Sequence, residues 1–163
     1  MPSTLTPINF RNEDNYFRNA VLNTIQVLKD FSKEHHREIR NYYEDDVMNP
    51  ICPCFMVFIN GSNDELRASQ NLSRVKYTVH MNLEVWYLHA DLTEEVKRNE
   101  VTYILWEISD YLKRHITLNG FVPKLGLRVT DARWIPHQRG SRVIAGGMIG
   151  IHVPKLYSTS VTS

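Results

Sequence analysis

The sequence predicts an α+β domain with a mainly antiparallel sheet and two helices packed on one face. Three observations carry that expectation. Two segments show apolar residues at helical spacing. Others alternate apolar and polar residues with period two. The order is helix, strand, strand, helix, strand, strand, with no βαβ alternation that would call for a parallel sheet.

The first helix is expected over residues 13–36. Phe17, Val21, Leu28 and Phe31 form a stripe, with Ala20, Thr24 and Ile25 beside it. Asn12 is placed to cap it, and Glu13 and Asp14 suit the positive end of the helix dipole. Lys33, His35, His36 and Arg37 suit the negative end. A polar connection with scattered aromatics follows over residues 40–53. A short buried strand is expected at 55–59. Turn chemistry from Asn60 to Glu65 then ends it, and residues 60–73 read as a long polar loop.

The clearest strand spans residues 75–88. Val75, Tyr77, Val79, Met81, Leu83, Val85 and Tyr87 alternate with Lys76, Thr78, His80, Asn82, Glu84 and Trp86. Strict alternation puts one face on a core. Its length exceeds the usual strand of about five or six residues, which suggests projection beyond the sheet or pairing with another chain. Asp91-Leu92-Thr93-Glu94 resembles a capping box, so a second helix is expected from there to Ile116. Val101, Ile104, Leu105, Ile108, Leu112 and Ile116 form its stripe, and Asn119-Gly120 supplies a left-handed stop. Strands around Leu125–Thr130 and Val143–Val153 close the domain. Gly146, Gly147 and Gly150 are costly in an isolated strand and imply close approach by another backbone or a helix. Residues 1–157 are expected to form a single domain, with 158–163 a disordered polar tail.

Composition narrows the function. The 163 residues are 42% hydrophobic and 23% charged, ordinary values for a domain with a real core. Nineteen Lys and Arg against eighteen Asp and Glu leave a net charge of +1, without the broad basic footprint of a nucleic-acid binder. No apolar run is long enough to span a bilayer, and the N-terminus lacks the pattern of a signal peptide. Cys52 and Cys54 flank Pro53. That spacing is poor for bonding to each other, so both are expected as reduced thiols.

Catalytic patterns are weak. Gly146-Gly147-Met148-Ile149-Gly150 lies inside a strand with no helix after it, so it is not a phosphate loop. His35 and His36 would point to different sides of a helix. His80, His89 and Asp91 form a looser set that a metal-dependent hydrolase would need to use, but Asp91 is already assigned to a cap. The pairs Asp45-Asp46 and Glu94-Glu95 read as solvated charge. Arg128, Arg133, Arg139 and Arg142, with Lys124 and Trp134, could bind and stack on a nucleic-acid strand. Arginine and tryptophan are also the residues enriched at protein interfaces. Interface is the preferred reading, and a small nucleic-acid-binding domain is the alternative.

Three stretches carry a family resemblance. They are Tyr16-Phe17-Arg18-Asn19-Ala20-Val21-Leu22; the long strand through Val79–Tyr87 with the helix after it; and the closing segments Val129–Trp134 and Val143–Val153. Over about residues 12–157 the chain resembles the tail terminator (tail completion) proteins of long-tailed bacteriophages. The resemblance implies a structural virion protein, with no enzyme activity and no cofactor. Such a protein forms a hexameric ring that caps the tail tube, stops its polymerisation and offers a surface to the neck and head-completion protein. Its place is the virion tail at the neck, after assembly in the host cytoplasm. DNA would pass through the ring without specific binding, and no membrane is involved. An over-long strand, a glycine-rich strand and an exposed polar loop suit such assembly. The candidate assembly residues are Asn60, Arg67, Arg74, Trp86, Arg133, Trp134, Arg139 and Arg142.

Overall fold

A computed structural model of the chain describes residues 15–67, 74–93, 95–122 and 126–160. Their elements run α1 (Tyr16–Glu34), β1 (Asn41–Tyr43), β2 (Cys54–Arg67), β3 (Arg74–Asp91), α2 (Arg98–Arg114), β4 (Arg128–Trp134), β5 (His137–Arg139) and β6 (Arg142–Ser160). The fold is α+β, with a six-stranded mixed sheet in the order β1-β2-β3-β6-β4 and β5 also paired to β6. Only the β1–β2 pair is parallel. β1 and β5 are additions to the expected order. Three residues each carry no usable periodicity, so only pairing with a long neighbour defines them.

α1 starts later than the sequence suggests. Asn15, not Asn12, is its cap, and its side chain accepts a hydrogen bond from the Arg18 amide at 3.1 Å. Asn12, Glu13 and Asp14 lie outside the described residues. Ala20, Val21, Thr24, Ile25, Leu28 and Phe31 are buried as expected, and Val27 joins them. Phe17 is the exception at 43% exposed: it sits in the first turn, in an open groove with Glu44, Phe58 and Ile59.

The period-two pattern of β3 is realised. Val79, Met81, Leu83, Val85 and Tyr87 point to one face, opposite Phe55 and Val57 of β2 and Ile149, Ile151 and Val153 of β6. Both helices cover this face, and α2 contributes Val101, Ile104, Leu105, Ile108 and Leu112. Gly147 explains itself here. A side chain there would strike Leu105 of α2 and come 2.5 Å from the Arg133 carbonyl of β4. The expected close approach of helix and strand is thus observed.

The helices meet at their C-terminal ends. His35 and His115 each place Nδ1 against the carbonyl four residues back, at 3.2 and 2.9 Å, and both rings contact Tyr111. Arg37 reaches Glu107 at 2.9 Å. Side chains that bond the last carbonyls suit a helix C-terminus.

Four expectations fail. The capping box at Asp91 does not form, because Asp91 is the last residue of β3, paired with Ile144, and α2 begins at Arg98 after Lys97. Asn119 and Gly120 do adopt positive φ, but in a turn after the helix has ended at Arg114, and Ile116 is exposed. The polar loop expected over 60–73 is strand over 60–67: β2 continues through a bulge at Asn60 to Arg67 and pairs with β3, and residues 68–73 lie outside the described residues. Ladder hydrogen bonds outweigh local turn propensity there. Likewise β6 runs to Ser160, so residues 158–160 are paired rather than loose, and 161–163 lie outside the described residues.

Candidate assembly surface

β2, β3 and β6 are longer than the rest of the sheet. β1 pairs only with Cys54, Phe55 and Met56, and β4 pairs along β6 only as far as His152. Beyond those limits, residues 62–67, 74–81 and 153–160 form a three-stranded arm. It extends about 26 Å past the last β4 pairing, at about 3.3 Å per residue. The outer edge of β2 from residue 57 and that of β6 from residue 153 have no paired strand among the described residues.

The root of the arm is covered on the helix side. Val79, Met81 and Val153 are buried there, and Lys155 donates to the Phe121 carbonyl at 2.9 Å across the ring of Phe121. Towards the tip the apolar side chains emerge: Leu66, opposite Tyr77, is exposed on this side, and Leu156, opposite Thr78, is exposed on the other.

The other face of the arm carries a hydrogen-bonded row across all three strands. Glu65 Oε2 lies 2.8 Å from His80 Nε2, and His80 Nδ1 lies 2.9 Å from His152 Nε2. The imidazoles stack with ring centres 5.1 Å apart. With both rings neutral, His152 donates to His80 and His80 donates to Glu65. With both protonated, the ring-to-ring bond is lost, because each nitrogen would be a donor. Burial first, then the charges of Arg128 and His80, lower the pKa of His152 below the ordinary histidine value. Sequence alternation places His80 and His152 on polar faces but cannot reveal that the register brings them together.

The connection before β2 covers the upper part of this same face. Beneath it lies a second small core of Cys54, Met56, Leu88 and Ile144, flanked by Tyr43, Val47, Cys52, Phe58 and Trp86. Two arginines clasp the connection from β5 and the start of β6. Arg139 ion-pairs with Asp46 and donates to the Val47 carbonyl. Arg142 donates twice to Asp91, at 2.8 and 3.0 Å, and once to the Pro50 carbonyl at 3.3 Å.

The candidate residues therefore divide among separate places. Asn60 is the exposed bulge in β2, and Arg67 and Arg74 end the two strands at the arm tip. Trp86 lies under the connection, 4.9 Å ring to ring from His137. Burial lowers the pKa of His137. Arg133 is exposed and pairs with Asp131 at 2.9 Å. Trp134 packs on the helix side of the sheet, beneath the Arg98 guanidinium at 4.8 Å. Arg139 and Arg142 are committed to the connection. Arg133, Arg139, Arg142 and Trp134 thus do not converge on one stacking surface, and Lys124 lies outside the described residues.

The looser histidine set separates too. His89 contacts the Tyr87 hydroxyl at 2.8 Å, Asp91 is held by Arg142, and His80 is nine strand positions from His89. Among the described residues no group of three or more His, Cys, Asp or Glu side chains is arranged to hold a metal ion. No helix among them is long and apolar enough to cross a membrane. No protein-family model matches the chain, and no curated protein matches it in sequence.

Proposed function

We propose that the protein is a structural component of a phage virion: a tail terminator that assembles as a hexameric ring on the end of the tail tube. The observation that carries this reading is the three-stranded arm. It presents two strand edges, on opposite sides of one sheet, that have no partner strand among the described residues. A monomer gains nothing from leaving both edges open, whereas a head-to-tail ring can use both at every subunit boundary. The resemblance noted from the sequence supplies the identity of the ring. A tail-tube protein would lie on one side of it and a neck protein on the other.

The nucleic-acid alternative has less support. Arg139 and Arg142 bind their own chain, and Trp134 is covered by Arg98.

The test is molar mass by light scattering behind a sizing column, with and without added tail-tube protein, followed by electron microscopy of virions. A hexamer-sized species, alone or on the tube, is expected. A monomer that ignores tube ends, and virions that lack the chain at the neck, would overturn the reading. A variant with the β2–β3 hairpin shortened across residues 67–74 should keep its fold and lose assembly; unchanged assembly removes the arm from the interface.

A further inference from the structure

Cys52 and Cys54 are two apart, a spacing that by itself disfavours pairing, but the fold brings their side chains into one cluster on the sheet face opposite the helices. Cys54 is completely buried in β2 among Met56, Leu88 and Ile144. Cys52 is half-buried and lines an open groove with Asn49, Pro50, Ile51, Ala90, Asp91 and Arg142. The groove therefore leads to one thiol, with the second behind it. Asp91 and the Pro50 carbonyl both bond the Arg142 guanidinium, which places it at the groove.

We propose that Cys52 and Cys54 are a peroxide-reactive dithiol, in which Cys52 attacks the oxidant in the groove beside Arg142 and Cys54 resolves the product into an intrachain disulfide. Electrostatics favour the division of roles. A hydrogen bond from Cys54 lowers the pKa of Cys52, and the Arg142 charge adds to that effect against opposing burial and Asp91. The same hydrogen bond, with burial, raises the pKa of Cys54. A thiolate next to a cation and accepting a hydrogen bond is the nucleophile of such pairs.

The chemistry balances with a hydroperoxide as the oxidant. The Cys52 thiolate attacks one peroxide oxygen, the O–O bond breaks, and the leaving hydroxide takes a proton as water. Cys52 is then a sulfenic acid. The Cys54 sulfur attacks the Cys52 sulfur, an S–S bond forms, and the S–O bond breaks. The departing hydroxide leaves as a second water with the Cys54 proton. Two thiols are oxidised by two electrons in total, and one peroxide is reduced.

The experiment treats the reduced full chain with equimolar hydrogen peroxide and follows intact mass and peptide maps. The expected product is about 2 Da lighter, with residues 52 and 54 linked, and dithiothreitol reverses it. Cys54→Ser should stop at a Cys52 sulfenic acid that dimedone captures. Cys52→Ser should react more than tenfold more slowly. Arg142→Ala should slow the reaction several-fold, and Arg142→Lys should largely restore it. The proposal fails if the treated wild-type chain keeps both thiols, accumulates Cys52 sulfenic acid without closing, or forms only disulfides between chains. Because these wild-type outcomes need no variant, a folding defect in a mutant leaves the decision intact.

Discussion

At the scale of single residues, His152 and His137 link stability to pH. Both have pKa values lowered in the folded state, His152 by burial and nearby Arg128 and His80, and His137 by burial. The unfolded chain therefore binds protons that the folded chain resists. Their contribution is fully present above the unfolded histidine value of about 6.5 and is lost as pH falls through the lowered folded values. Thermal melts from pH 7.5 to 5.5 should show a falling Tm, and His152→Gln should flatten that slope. An unchanged slope in both His152→Gln and His137→Gln would assign the acid sensitivity elsewhere. Gly147 is the second decisive residue. Gly147→Val adds atoms where Leu105 and the Arg133 carbonyl already stand, so helix and edge strand must separate. Urea titration should show a loss of about 1–3 kcal/mol, the usual range for overpacking.

At the scale of elements, the connection between β1 and β2 is held by few atoms. The Arg142–Asp91 pair is largely exposed, with side chains 35% and 57% accessible, and such pairs contribute only about 0–1 kcal/mol each. Arg139→Ala with Arg142→Ala should therefore lower global stability modestly. It should raise amide exchange and proteolytic cleavage strongly within residues 44–53, while β3 and β6 stay protected. Equal protection in the double variant would mean that the small core around Met56 and Leu88 holds the connection by itself. The histidine row acts similarly on the arm. It joins β2, β3 and β6 side by side at the root of the arm, where β4 ends opposite His152.

At the scale of the whole molecule, core and arm differ in what they support. Leu83 is 1% exposed, at the centre of β3 and under both helices. Leu83→Ala should cost about 2–5 kcal/mol and shift the entire unfolding transition. Shortening the arm tip should leave that transition almost unchanged and act on association. Comparing the two variants by calorimetry and light scattering separates folding from assembly. If the arm-shortened chain also loses most of its stability, the arm belongs to the folding unit rather than to a binding surface.

The sequence by itself determined the fold class, both helices, the face of β3 that is buried and the tight approach at Gly147. Those features are written in local periodicity, which a helix or strand expresses through its own backbone geometry. Local pattern misled where a long-range partner was stronger. Asp91 reads as a cap but is kept in β3 by Ile144 and Arg142. Asn60 to Glu65 reads as a turn but is held in β2 by the β3 ladder. Only the tertiary structure decided that Arg139 and Arg142 turn inward to clasp the connection, that Glu65, His80 and His152 form one row, and that Cys52 lines a groove with Arg142 while Cys54 is buried behind it. Each depends on strand register or on a contact between residues distant along the chain. Register shifted by one position reverses every side chain, so no local reading of residue types could supply it.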